Sequence, residues 1–86
     1  MLYVEQIRAA RALLGWSQQQ LADQAGIGSA TIKRLETKPG LLGGSADTAW
    51  RIQGALEKAG VIFIDDDETG GPGVRLAKSI GSKDSG

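Results

Sequence analysis

The chain has 86 residues, 41% of them hydrophobic, which suits one small domain built around a single core. It contains no cysteine and no histidine. That excludes a disulfide framework and a thiolate metal site, and removes the commonest general base and the commonest metal ligand together. Ten Lys and Arg balance ten Asp and Glu, giving zero net charge, which by itself argues against a nucleic-acid binder.

The first predicted helix covers Val4 to Leu14, because Val4, Ile7, Ala10 or Arg11, and Leu14 fall on one face. Gly15 ends it as a left-handed C′ residue. Ser17 and Gln20 then have the spacing of a capping box, with Trp16 and Leu21 at the two positions of a hydrophobic staple. The second helix follows over Gln18 to Ala25, with Leu21, Ala22 and Ala25 inward, and Gly26 closes it.

Ile27, Ile32 and Leu35 repeat at helical spacing and define a third helix. It begins near Gly28 or Ser29 and ends at Glu36 or Thr37, stopped by Lys38-Pro39-Gly40. Leu41-Leu42-Gly43-Gly44 reads as a loop whose two leucines tuck under the domain. A fourth helix starts after a Ser45 cap, with Asp47 in its first turn. Ala49, Ile52, Leu56 and Ala59 share one face, and Gly60 closes the helix. Gly54 inside it costs roughly 1 kcal/mol against alanine, a cost that a close helix contact would explain. Trp50 lies off the apolar stripe. It either covers the loop leucines or forms a dimer contact, and packing is the preferred reading.

The pattern changes at residue 61. Val61-Ile62-Phe63-Ile64 is β-branched and aromatic. It is also the longest apolar run, too short to span a bilayer. A polar turn segment from Asp65 to Gly73 follows, and then Gly73 to Lys78 alternates apolar and basic residues. These segments predict a β-hairpin with strands over about 61–65 and 73–78. An isolated hairpin is marginal in water, and its edges are templates for strand addition, so it is a candidate dimerisation element. The acidic run Asp65 to Glu68 lacks the spacing of a calcium loop and reads as a solvated turn. Residues 79–86 are Gly, Ser and charge, expected as a flexible tail. The expected division is therefore 1–60, 61–78 and 79–86.

Two capped helices around one glycine form a helix-turn-helix pattern, whose second helix enters the DNA major groove. The distribution of charge softens the objection from net charge. Residues 1–59 carry seven bases against five acids, and residues 60–86 three bases against five acids.

From residue 4 to about 59 the sequence resembles the phage-repressor and Cro-like (Xre-type) regulators. The resemblance rests on Ile7-Arg8, Arg11, Gly15-Trp16-Ser17-Gln18, Leu21-Ala22, Ala25-Gly26-Ile27, Thr31-Ile32 and Leu35-Glu36, in register without a gap. It implies a mainly α fold, a four-helix Cro/repressor-like domain, here with a C-terminal β-hairpin. It also implies a sequence-specific transcriptional regulator that reads the major groove with its third helix, as a homodimer on a palindromic site.

The resemblance assigns roles to residues. Gln18 matches a position that bonds a DNA phosphate and braces the recognition helix. Ser29 and Ala30 match its first exposed turn, and Ala30 offers only apolar contact, for instance to a thymine methyl. Arg34 is the candidate for a bidentate contact to guanine. Lys33 points to phosphate or to solvent, and Thr31 is either a phosphate contact or a helix-surface residue. Lys38, in the loop after the third helix, either reaches the DNA backbone or stays in solvent. Gly28 departs from the usual Ser or Thr cap and supplies no side-chain oxygen. Arg11 and Glu36 match a paired Arg and Glu and are read as a structural ion pair.

No nucleophile–base pair and no metal cluster is visible, so neither an enzyme nor a cofactor is expected. The N-terminal residues lack the basic and apolar regions of a signal peptide, and the expected location is the cytoplasm. The expected partners are double-stranded DNA and a second copy bound through residues 61–78, with no membrane. The alternative function is an antitoxin or adaptor whose hairpin binds a partner protein.

Overall fold

A computed structural model describes residues 1–78. The expected flexible tail, residues 79–86, lies outside the described residues. The order of elements is α1 (Val4–Leu14), α2 (Gln18–Ala25), α3 (Ser29–Leu35), α4 (Ala46–Lys58), β1 (Val61–Ile64) and β2 (Gly73–Leu76). The fold is mainly helical, with a two-stranded antiparallel hairpin after the helices. No described helix is long and apolar enough to cross a membrane.

Local signals place the first three helices. Gly15 and Gly26 adopt left-handed backbone, at φ 69° and φ 72°, where a side chain would be strained. The Ser17 hydroxyl accepts from the Gln20 amide at 3.0 Å, and the Gln20 side chain accepts from the Ser17 amide at 2.8 Å. Both halves of the capping box are thus made. Gly28 caps α3 with extended backbone and no side-chain bond, as the sequence implies. Ser45 caps α4 by accepting from the Thr48 amide at 3.1 Å.

The core joins all four helices and the hairpin. Ile7, Ala10, Leu21, Ala22, Ile32, Ile52, Leu56 and Val61 are buried within it. Trp16 is half-buried against this cluster, as its staple position requires. On the hairpin, Val61 faces Leu76 and Phe63 faces Val74. These four side chains pack on the helices, so the hairpin completes the core rather than standing apart. The alternate residues Ile62 and Ile64 point outward and stay exposed.

Two contacts had no counterpart in the sequence pattern. Gln6, only 2% exposed, donates its side-chain amide to the carbonyls of Ile64 at 3.2 Å and Gly73 at 3.0 Å. It also accepts from the Tyr3 amide at 2.9 Å. One buried glutamine therefore caps α1 and ties it to both strands. The second contact is a strap. Val4 donates to the Gly40 carbonyl at 2.8 Å and Leu42 to the Leu2 carbonyl at 2.9 Å, holding the loop after α3 against the N-terminal segment.

Four expectations need correction. Trp50 does not pack: it is 78% exposed on α4, because it sits on the face opposite Ile52 and Leu56. Of the loop leucines, Leu42 packs on the core, while Leu41 stays half-exposed because its backbone is held in the bridge to Tyr3. Gly54 has no close helix contact, since nothing lies within 4 Å of where its Cβ would be. The strands end at Ile64 and Leu76, short of Asp65 and Lys78, although Ala77 still donates to the Gly60 carbonyl at 2.7 Å.

The hairpin turn is ordered by its own acid. Asp67 accepts from the Thr69 hydroxyl at 2.6 Å, the Thr69 amide at 2.8 Å and the Gly70 amide at 3.1 Å. The Thr69 hydrogen bonds hold its carboxyl below the usual aspartate value. No group of acids among the described residues is arranged to hold a metal ion.

Candidate functional site

The site is built on α3, whose buried side is Ile32 and Leu35. Helical spacing then turns Ser29, Ala30, Lys33 and Arg34 to the opposite side. Ala30, Lys33 and Arg34 are exposed, and Ser29 is half-buried. The turn at Gly26 brings α2 against α3, so the first residues of the two helices lie side by side. Gln18, Gln19, Ser29, Ala30 and Lys33 line one open concavity. Its polar groups are two amides, one hydroxyl and one ammonium, with the Ala30 methyl among them.

The remaining predicted residues lie elsewhere. Arg34 and Lys38 share a second groove with Thr37, Pro39, Leu41 and the Gly43–Gly44 backbone. Thr31 is half-buried and lines neither groove. The seven predicted residues therefore divide into Gln18, Ser29, Ala30 and Lys33 at the α2–α3 junction, Arg34 and Lys38 at the far end of α3, and Thr31 apart. Gln19 and Arg8 line the grooves around this face without having been singled out from the sequence. Gln19 carries a weak signal as the neighbour of Gln18, and its amide donates to Asp23 at 2.8 Å. Arg8 is one of the residues on which the resemblance rests, but that resemblance gave it no role, and its place beside the end of α3 comes from the packing of α1.

A polar network fixes the two helices relative to α1. Arg11 donates from Nε to Glu36 Oε2 at 2.9 Å and from Nη2 to Glu36 Oε1 at 2.7 Å. This is the two-pronged geometry that matches a planar guanidinium to a carboxylate. Its third nitrogen, Nη1, donates to the Trp16 carbonyl at 3.0 Å. Gln18 Nε2 donates to Glu36 Oε1 at 3.1 Å. The side chains of Arg11 and Glu36 are 19% and 5% exposed, so the pair is structural, as the sequence implies. Glu36 is also the C-terminal cap of α3. The network thus holds α1, the start of α2 and the end of α3 in one arrangement, and it presents the outer face of α3 on a rigid support.

This geometry displays side chains around open grooves. The grooves on the α3 face are shallow and open, and their charged groups are cations apart from the neutralised Glu36. Such a surface suits an extended polyanion more than a small apolar ligand. The helix-turn-helix family model matches residues 7–43, which spans α1 from Ile7, α2, α3 and the strap loop. No curated protein matches the chain.

Proposed function

The chain carries a helix-turn-helix of the Xre type, the DNA-binding fold of phage-repressor and Cro-like regulators; from that premise we propose that it reads a palindromic operator as a homodimer. The observation that carries the reading is the outward face of α3, with Ser29, Ala30 and Lys33 displayed beside Gln18 on the Arg11–Glu36 support and Arg34 exposed further along the same helix. Ser29 and Ala30 meet base edges, and Arg34 forms the bidentate guanine contact. Gln18, Lys33 and Lys38 contact phosphates and set the register, with Thr31 in reach of the backbone only at the edge of the footprint.

In this reading residues 1–60 form the DNA-binding unit and residues 61–78 the dimerisation element. Ile62 and Ile64 form an exposed apolar pair on the outer face of the hairpin. Among the described residues no helix or loop backbone bonds the strands except through Gly60 and Ala77. A dimer sets two copies of α3 about 34 Å apart, one turn of the duplex. The same exposed isoleucines favour a second reading, an adaptor or antitoxin whose hairpin binds a different protein. Selection of binding sites from random duplexes tests the main reading. It predicts an enriched inverted repeat, whereas enrichment of no sequence favours the second.

A further inference from the structure

We propose that Arg8, on α1, is a DNA-backbone contact, and that with Lys33 it forms a seat for one phosphodiester beyond the recognition face. This deepens the DNA-binding reading and rests on it. A third concavity lies between α1 and the end of α3, lined by Arg8, Arg11, Gln18, Lys33, Glu36 and Thr37. No apolar residue lines it, so it lacks the anchor pocket that a protein partner needs.

Its charge depends on what Glu36 is doing. Both carboxylate oxygens of Glu36 accept hydrogen bonds from Arg11, and one accepts from Gln18 as well. With its side chain 5% exposed, Glu36 presents almost nothing to an incoming anion. Arg11 is consumed in neutralising it. What remains is Arg8 and Lys33, both exposed, and neither in a salt bridge among the described residues. The concavity therefore carries two uncompensated positive charges over a neutral floor. Thr37 contributes no donor, because its hydroxyl is given to the Arg34 carbonyl at 2.7 Å.

The seat is continuous with the recognition face. Gln18 and Lys33 line both this concavity and the neighbouring one that holds Ser29 and Ala30. A strand whose bases meet α3 runs its backbone past Gln18 and onto α1, where Arg8 is the first cation. Such a contact adds affinity through counterion release and carries no sequence information.

The test measures the salt dependence of binding for the full chain on its selected duplex and on a scrambled one. The proteins are wild type, Arg8→Ala and Arg8→Lys, with thermal melts confirming that each is folded. Removing one phosphate contact lowers the slope of log affinity against log salt by about 0.9. Arg8→Ala is expected to show that loss and to weaken both duplexes by the same factor, and Arg8→Lys to restore the wild-type slope. An Arg8→Ala slope equal to wild type overturns the proposal while leaving DNA binding intact. So does a loss confined to the selected duplex, which would place Arg8 on a base. A wild-type protein that binds neither duplex overturns the DNA-binding reading itself, and this seat with it.

Discussion

Gln18, the first residue of α2, donates its side-chain amide to Glu36, the C-terminal cap of α3, at 3.1 Å. The bond crosses the open side of the helix-turn-helix, whose core side is closed by Leu21 and Ile32. Because Glu36 is also gripped by Arg11, the orientation of the Gln18 amide is tied to a buried charge pair on α1. Fold stability and the aim of a proposed phosphate contact therefore share one set of atoms.

That sharing predicts an asymmetric mutant series. Arg11→Ala leaves the buried Glu36 charge with only the Gln18 hydrogen bond and no counter-charge, and should destabilise the fold by on the order of 3 kcal/mol. Replacing both residues together, as Arg11→Met with Glu36→Leu, should cost less than Arg11→Ala alone, since no orphan charge remains. Urea unfolding of Arg11→Ala, of the single variants Arg11→Met and Glu36→Leu, and of the double variant measures this. Additive losses would mean that the two residues are not coupled.

Gln6 makes the corresponding link to the hairpin. Gln6→Leu fills the space but leaves the Ile64 and Gly73 carbonyls without their helix partner, at a cost of about 1–2 kcal/mol. The effect should be local as well as global. Amide hydrogen exchange should quicken in residues 61–64 and 73–76 more than in α2 and α3. Uniform acceleration across the chain would mean that the hairpin opens only with the whole domain.

Two glycines on helices allow stabilisation. Gly54 lies inside α4 with open space around its Cβ position and no positive φ. Gly54→Ala should therefore gain about 0.5–1 kcal/mol. Gly28, with extended backbone and open space, accepts a serine cap, and Gly28→Ser should gain a few tenths of a kcal/mol, roughly. Thermal denaturation of both variants checks the sign. A loss at Gly54 would reveal a contact to α4 made in the assembled protein.

The outer face of the hairpin carries the dimer proposal. Deleting the hairpin is a poor test, because Val61, Phe63, Val74 and Leu76 belong to the packed core and their loss would unfold it. Ile62→Glu with Ile64→Glu changes only exposed positions. Sedimentation should show a dimer for the wild type and a folded monomer for this variant. A variant that still forms the dimer would place the contact elsewhere.

Most of the helical frame was legible because its signals are local. Ser17 and Gln20 are three residues apart, Gly15 and Gly26 mark their own turns, and both capping-box bonds form. Gln6 was not legible, since its partners lie 58 and 67 residues away and it reads as a polar residue beside an apolar stripe. Trp50 misled for the opposite reason: size and hydrophobicity argue for burial, but its position on α4 decides, and that position faces solvent. The candidate site was legible as residue types in register. Its division into separate grooves and the place of Arg8 beside Lys33 needed the packing of α1 on α3.

In the proposed function the outer face of α3 reads bases. The most direct measurement of this is the affinity of wild type and Arg34→Ala for the selected duplex and for single-base variants of it. The prediction is a loss of about 1–3 kcal/mol on the selected duplex, with discrimination relaxed at one guanine position and kept elsewhere. Unchanged affinity and unchanged discrimination for Arg34→Ala would contradict the assignment of Arg34 and, with it, the reading of this face.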